Sequence, residues 1–141
     1  VYINLLSHFT NLNFATANND LWQIPAATTY GQVAVLLDMT RLGTPTSATL
    51  VVVYTDTASV GMINRVGLSL AATPQAPGTT IVPVPSSIVQ MSNSATYPQI
   101  IEQELDVADL GVTKQWLQIA LNIDNNAQRP SIKSAALILY Y

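Results

Sequence analysis

From Gln115 to Ile123 the chain alternates: Leu117, Ile119, Leu121 and Ile123 are apolar, with Gln118, Ala120 and Asn122 between them. A period of two marks a strand with one face in a core and the other in water. The same phase places Trp116 on the outward face. The polar run Asp124-Asn125-Asn126-Ala127-Gln128-Arg129-Pro130 follows, and Ile132 to Tyr141 is apolar enough to return as an antiparallel partner. Residues 32–39 and 48–55 are predicted as a second pair, joined across 41–47. Their apolar runs, Val33 to Leu37 and Leu50 to Val53, are nearly continuous. Such runs predict strands covered on both faces, and a subunit contact is one way to cover them. Further strands are expected at 65–70, 79–84 and 100–107, with 1–6 and 12–14 at the start.

Turn signals separate these segments, among them Gly43-Thr44-Pro45, Pro74 to Gly78, Pro83, Pro85, Pro98 and Gly111. Helix has one foothold, where Ile101, Leu105 and Ala108 share a helical stripe ahead of Gly111. Ile101, Gln103, Leu105 and Val107 also alternate against Glu102, Glu104 and Asp106, which favours a strand ending in a turn at 106–111. No repeat with a period of 20–50 residues appears. The pattern predicts one all-β domain over residues 1–141, an antiparallel β-sandwich of the jelly-roll kind with about eight to ten short strands.

Composition changes the picture at the surface. Hydrophobic residues make up 49% of the 141, and mean hydropathy is +0.30, so the chain can build a core. Asp, Glu, Lys and Arg make up 9%, against about a quarter in typical soluble domains. Polarity comes instead from 44 Thr, Ser, Asn and Gln residues. Lysine ordinarily guards exposed sheet edges, and only Lys114 and Lys133 are present. Subunit interfaces are depleted of Lys and Glu, so the scarcity of charge points to an assembled state. A net charge of −3 with five scattered cations leaves no basic stripe for phosphates, so no nucleic-acid partner is expected. The absence of Cys removes disulfides, thiolate zinc sites and thiol catalysis. No apolar run reaches the roughly 18 residues of a membrane helix, so no membrane span is expected. The start, Val1-Tyr2-Ile3-Asn4-Leu5-Leu6, has neither an initiator Met nor a basic n-region, and is expected to belong to a processed, trimmed or partial chain.

Candidate chemistry is sparse. His8, the single histidine, has Ser7 beside it but no orienting acid and no converging ligands. Glu102, Glu104 and Asp106 would point the same way along a strand, about 6.7 Å apart, with Asp109 beyond. That row reads as a solvated face, with Ca²⁺ as the functional alternative and a glycosidase carboxylate pair further off. Asp124-Asn125-Asn126 lacks the glycine and distal Glu of an EF-hand loop and reads as a hairpin turn. Asp38 and Arg41 are placed to form a local ion pair. No G-x-G-x-x-G, Walker A, H-E-x-x-H or G-x-S-x-G motif occurs, so no enzyme and no cofactor are expected. Trp22, Trp116, Tyr30, Tyr54 and Tyr97 are the candidates for a sugar-stacking platform, although Trp and Tyr serve subunit interfaces equally well.

Leu21-Trp22-Gln23-Ile24-Pro25, Trp116-Leu117-Gln118-Ile119-Ala120-Leu121 and the terminal Ala135-Ala136-Leu137-Ile138-Leu139-Tyr140-Tyr141 strand, set in a neutral Thr/Ser/Asn/Ala-rich chain, resemble virion structural proteins. The resemblance is to the small jelly-roll proteins of bacteriophages, those of capsids, decorations, spikes and tail appendages. It spans most of the chain and rests on texture, with no diagnostic motif and no site residue carried over. It implies a non-enzymatic virion subunit whose partners are copies of itself and other virion proteins. A carbohydrate- or receptor-binding sandwich module, with a host-surface glycan as ligand, is the alternative.

Overall fold

The computed structural model describes residues 1–6, 21–25, 34–56, 63–92, 94–123 and 130–141, with the backbone alone at 94–97. Among them lie eight strands: β1 (Tyr2–Asn4), β2 (Val35–Asp38), β3 (Ser47–Asp56), β4 (Asn64–Ala71), β5 (Val89–Met91), β6 (Ser94–Leu105), β7 (Lys114–Ile123) and β8 (Ser131–Tyr140). One helical turn, α1 (Met39–Leu42), and two 3-10 turns, Pro85–Ser87 and Val107–Leu110, complete the described elements.

The strands form two antiparallel sheets, ordered β1-β8-β3-β6 and β2-β7-β4-β5. β1 pairs with β8, β2 with β7, β3 with β6, and β4 with β5. The chain is therefore one long hairpin bent between β4 and β5, whose paired arms roll up until β8 meets β3 and β7 meets β4. This is the jelly roll. The alternating residues explain why the two sheets stack. Ala48, Leu50, Val52 and Tyr54 of β3, and Ala135, Leu137 and Leu139 of β8, face Val66 and Leu68 of β4 and Leu117, Ile119, Leu121 and Ile123 of β7, all buried. Burying each large aliphatic side chain contributes about 1.5–3 kcal/mol, so this double layer dominates stability.

Two pairings differ from the sequence expectation. β8 does follow β7, yet it lies in the other sheet between β1 and β3, and β2 and β3 are likewise in different sheets. In both cases the strands were rightly expected, but rolling the hairpin separates sequence neighbours. Residues 79–84 form no strand: an isolated bridge at Thr80 ties this run to Gln23. β5 is a further strand that periodicity misses, because three residues are too few to show a period. Residues 100–107 divide at Leu105, where β6 ends, and Asp106 caps the 3-10 turn with Oδ1 accepting from the Ala108 N–H at 3.0 Å. Gly111 then takes φ 70°, a left-handed turn position that glycine adopts without penalty. Residues 12–14 lie outside the described residues.

Candidate functional site

The two outer faces of the sandwich differ. On β7 the alternation predicts that Gln118, Ala120 and Asn122 are wet, and they are buried instead. Their cover is the chain itself. Gln23 exchanges two backbone hydrogen bonds with Leu121 at 3.0 Å, and the Ile81 N–H donates to the Trp22 carbonyl at 2.9 Å, so residues 22–24 run between β7 and the β4–β5 connection. The Trp22 ring lies over Gly67, where an added Cβ would stand 3.3 Å from both Trp22 Cζ3 and Ser87 Oγ. Gln118 clamps the connection at Gln75, Oε1 accepting from its N–H at 2.8 Å and Nε2 donating to its carbonyl at 3.0 Å. Ser87 Oγ accepts from the Leu68 N–H at 2.8 Å and donates to the Val84 carbonyl at 2.6 Å. Gln118 and Ser87 therefore latch the cover to the sheet, each buried polar side chain finding its partners across that seam.

On the other sheet the register aligns outward-facing residues in rows. Tyr2, Ile138, Thr49 and Glu104 stand side by side across β1, β8, β3 and β6. Asn4, Ala136, Val51 and Glu102 form the next row, followed by Ser134, Val53 and Ile100. Tyr2 and Ile100 are each 66% exposed. Glu102 and Glu104 stand in these rows at the β6 margin, and exposed Lys133 sits beside Ser134 on β8, where the β3–β8 register shifts. The sequence signal for this face is the unbroken Leu50 to Val53 run, where a wet face would alternate with polar residues.

Asp38 anchors the corner where β2 ends. Its carboxylate accepts from the Thr40 hydroxyl and from the Thr40 N–H, capping α1. Its cation is Lys114, at 3.8 Å across the β2–β7 register, and not the Arg41 that its sequence neighbourhood proposes. The Thr40 hydroxyl, then Lys114 and the Thr40 and Arg41 N–H groups, hold the Asp38 carboxyl below the ordinary carboxylate value. Leu36, Asp38, Arg41 and Leu42 line an open depression of about 370 Å³.

The aromatic candidates are dispersed. Trp22 is half-buried over Gly67, and Trp116 is half-buried on the same face, beside Leu36 and Ala71. Gly67 and Ala71 are four residues apart on β4, about 13 Å, which separates the two indoles. Tyr54 points into the core, 2% exposed, with its hydroxyl accepting from the Ser92 N–H at 2.8 Å. Tyr30 and His8 lie outside the described residues, as does the side chain of Tyr97. The Ca²⁺ alternative meets a different geometry from the one predicted. Glu102 and Glu104 share the outer face of β6, but Asp106 has left the strand to cap the next turn. Among the described residues no group of three or more His, Asp or Glu is placed to hold a metal ion. No described helix is long and apolar enough to cross a membrane.

No family model matches the chain, and neither do any curated proteins or solved structures.

Proposed function

We propose that this chain is a non-enzymatic structural subunit of a virion, a capsid, decoration or spike protein working through contacts between subunits. The observation that carries this reading is the apolar character of the outer face of β1-β8-β3-β6. Its rows hold exposed Tyr2 and Ile100 with half-buried Ile138, Val51 and Val53, and the acids Glu102 and Glu104 sit at one margin. Large exposed apolar patches mark interaction sites. Jelly rolls serve viral capsid proteins, lectins and cupins alike, so the fold admits this function without selecting it. Selection comes from the surface, whose low charge suits burial against copies.

A carbohydrate-binding module is the second reading, favoured by Trp116, which stays half-exposed beside Leu36 on the otherwise covered sheet. Size-exclusion chromatography with light scattering, run over a range of concentrations, separates the two. A defined oligomer supports the virion subunit, and a monomer at every concentration overturns it. Glycan-array binding that is lost in Trp116→Ala would favour the module.

A further inference from the structure

We propose that the β6 edge of one copy docks against the β2 edge of the next, acid to base, so that copies associate head to tail and side by side. This deepens the assembly reading above and rests on it. Among the described residues, the exposed charges at the two edges are opposite in sign. Glu102 and Glu104 are exposed on β6, the last strand of its sheet. Arg41 is exposed on the turn that follows β2, the edge strand of the other sheet, and Lys114, 62% exposed, is paired with Asp38 of β2. Asp38 offsets Lys114, which leaves Arg41 as surplus positive charge. The other described cations, Arg65 and Lys133, stand on β4 and β8, which are interior strands.

The two edges lie on opposite sides of the sandwich. β5 and β6 are joined across Ser92 and Asn93, so their edges share a side. β2 is three strand spacings from β5, about 14 Å away. Both charge groups also lie at the same end. Glu104 pairs with Thr49 near the start of β3, β6 leads through a 3-10 turn into β7, and Lys114 opens β7. A neighbour can therefore dock beside this copy with no shift along the strands. Each edge adds one large apolar group: Ile100 on β6, and on β2 Leu36, 46% exposed, at the depression it shares with Arg41. A two-fold contact would set acid against acid or base against base. A heterologous contact sets each edge against its complement, and repeating it closes a ring or extends a filament.

The test is charge reversal with rescue, read by size-exclusion chromatography with light scattering on the full chain. Glu102→Lys/Glu104→Lys and Arg41→Glu/Lys114→Gln should each weaken self-association at least about tenfold, because like charges then face each other. An equimolar mixture should restore association, since each reversed edge meets the other variant's reversed edge. Raising salt from about 50 mM to about 500 mM should weaken the unmodified assembly. Unfolding midpoints check that both variants fold, and Glu102→Gln/Glu104→Gln, which adds no repulsion, should weaken association less. Unchanged mass in both reversal variants, or failure of the mixture to reassociate, overturns the edge contact and leaves the assembly reading standing. A monomeric unmodified chain overturns both.

Discussion

Replacing Ser87 with Ala tests whether the β4–β5 connection is latched to the sheet or merely rests on it. β5 pairs with β4 only from Asn64 to Val66, so at Leu68 the ladder has no strand on that side. Ser87 and Val84 stand in for it. Ser87 Oγ accepts from the Leu68 N–H at 2.8 Å, and the Val84 N–H donates to the Leu68 carbonyl at 2.7 Å. Ser87 is fully buried, so water cannot replace the lost oxygen. The Val84 carbonyl keeps the Ser87 N–H at 3.0 Å, which leaves the Leu68 N–H as the single orphan. An unsatisfied buried donor costs about 1–3 kcal/mol. With an unfolding entropy of about 2.1 cal/mol/K per residue, the chain loses about 0.3 kcal/mol per degree near its midpoint. A 2 kcal/mol loss, roughly the middle of that range, lowers Tm by about 7 °C. Scanning calorimetry at fixed protein concentration reads the shift, and hydrogen exchange should show the Leu68 amide losing protection. Ser86→Ala is the control. Ser86 Oγ accepts from the Asp106 N–H at 3.0 Å in an exposed setting, where water can substitute, so the expected change is within about 0.5 kcal/mol. If Ser87→Ala shifts Tm by no more than Ser86→Ala, the latch is not what holds the connection.

Gly67→Leu should lower Tm through overpacking by about 1–3 kcal/mol, because Trp22, Ser87 and Pro83 already stand within 3.4 Å of a Cβ there; Trp22 fluorescence should shift red as the ring is displaced, and an unmoved spectrum would contradict that packing. Asp38 has a folded pKa below its ordinary 3.8, so it contributes stability that is present above that value and lost as pH falls through and below it. Asp38→Asn should therefore flatten the acid limb of Tm against pH, and an unchanged limb would remove Asp38 from it. Ile100→Thr keeps a β-branched residue on an outward position and should change monomer stability by no more than about 0.5 kcal/mol. On the assembly reading it should still weaken self-association by about five- to thirtyfold, equivalent to about 1–2 kcal/mol of lost burial, as read by light scattering.

Much of the sandwich is legible because its interior obeys a period of two. Leu117, Ile119, Leu121 and Ile123 declare their face, and the strands at 114–123, 64–71 and 131–140 lie within a residue or two of the segments expected from the sequence. Pairing is not legible in the same way. Nothing in Ser131–Tyr140 says whether it returns to β7 or crosses to β3, since the apolar residues satisfy either sheet. The wet face expected for β7 fails for a related reason: Gln118 and Asn122 look solvated by residue type, and only the tertiary structure brings Gln75 against Gln118. Among the candidate residues, Asp106 was displaced by one backbone choice. Asp is a strong capping residue, and capping the 107–110 turn outweighed extending β6. Arg41 lost Asp38 to Lys114 because strand register brings Lys114 directly opposite.

The two outer faces then pose a physical question that the core does not answer. Residues 72–88 and 22–24 cover β7 and β4, and Gln118 of β7 and the Leu68 N–H of β4 are hydrogen-bonded to that cover. No described segment is hydrogen-bonded in the same way over Val51, Val53 and Ile138. Strand propensity alone does not require valine at those positions. Thr49 and Thr55 occupy the same outward face of β3, are β-branched, and tolerate water. Half-buried valines forgo part of the hydrocarbon burial worth about 1.5–3 kcal/mol per large side chain, and a lone one would be unremarkable. Here Tyr2 and Ile100 are exposed and Val51, Val53 and Ile138 half-buried, each of the three rows sets two apolar residues side by side, and two of the rows end at Glu102 or Glu104. On the assembly reading proposed above, a neighbouring copy would bury these apolar residues behind a charged rim, the anatomy of a protein interface.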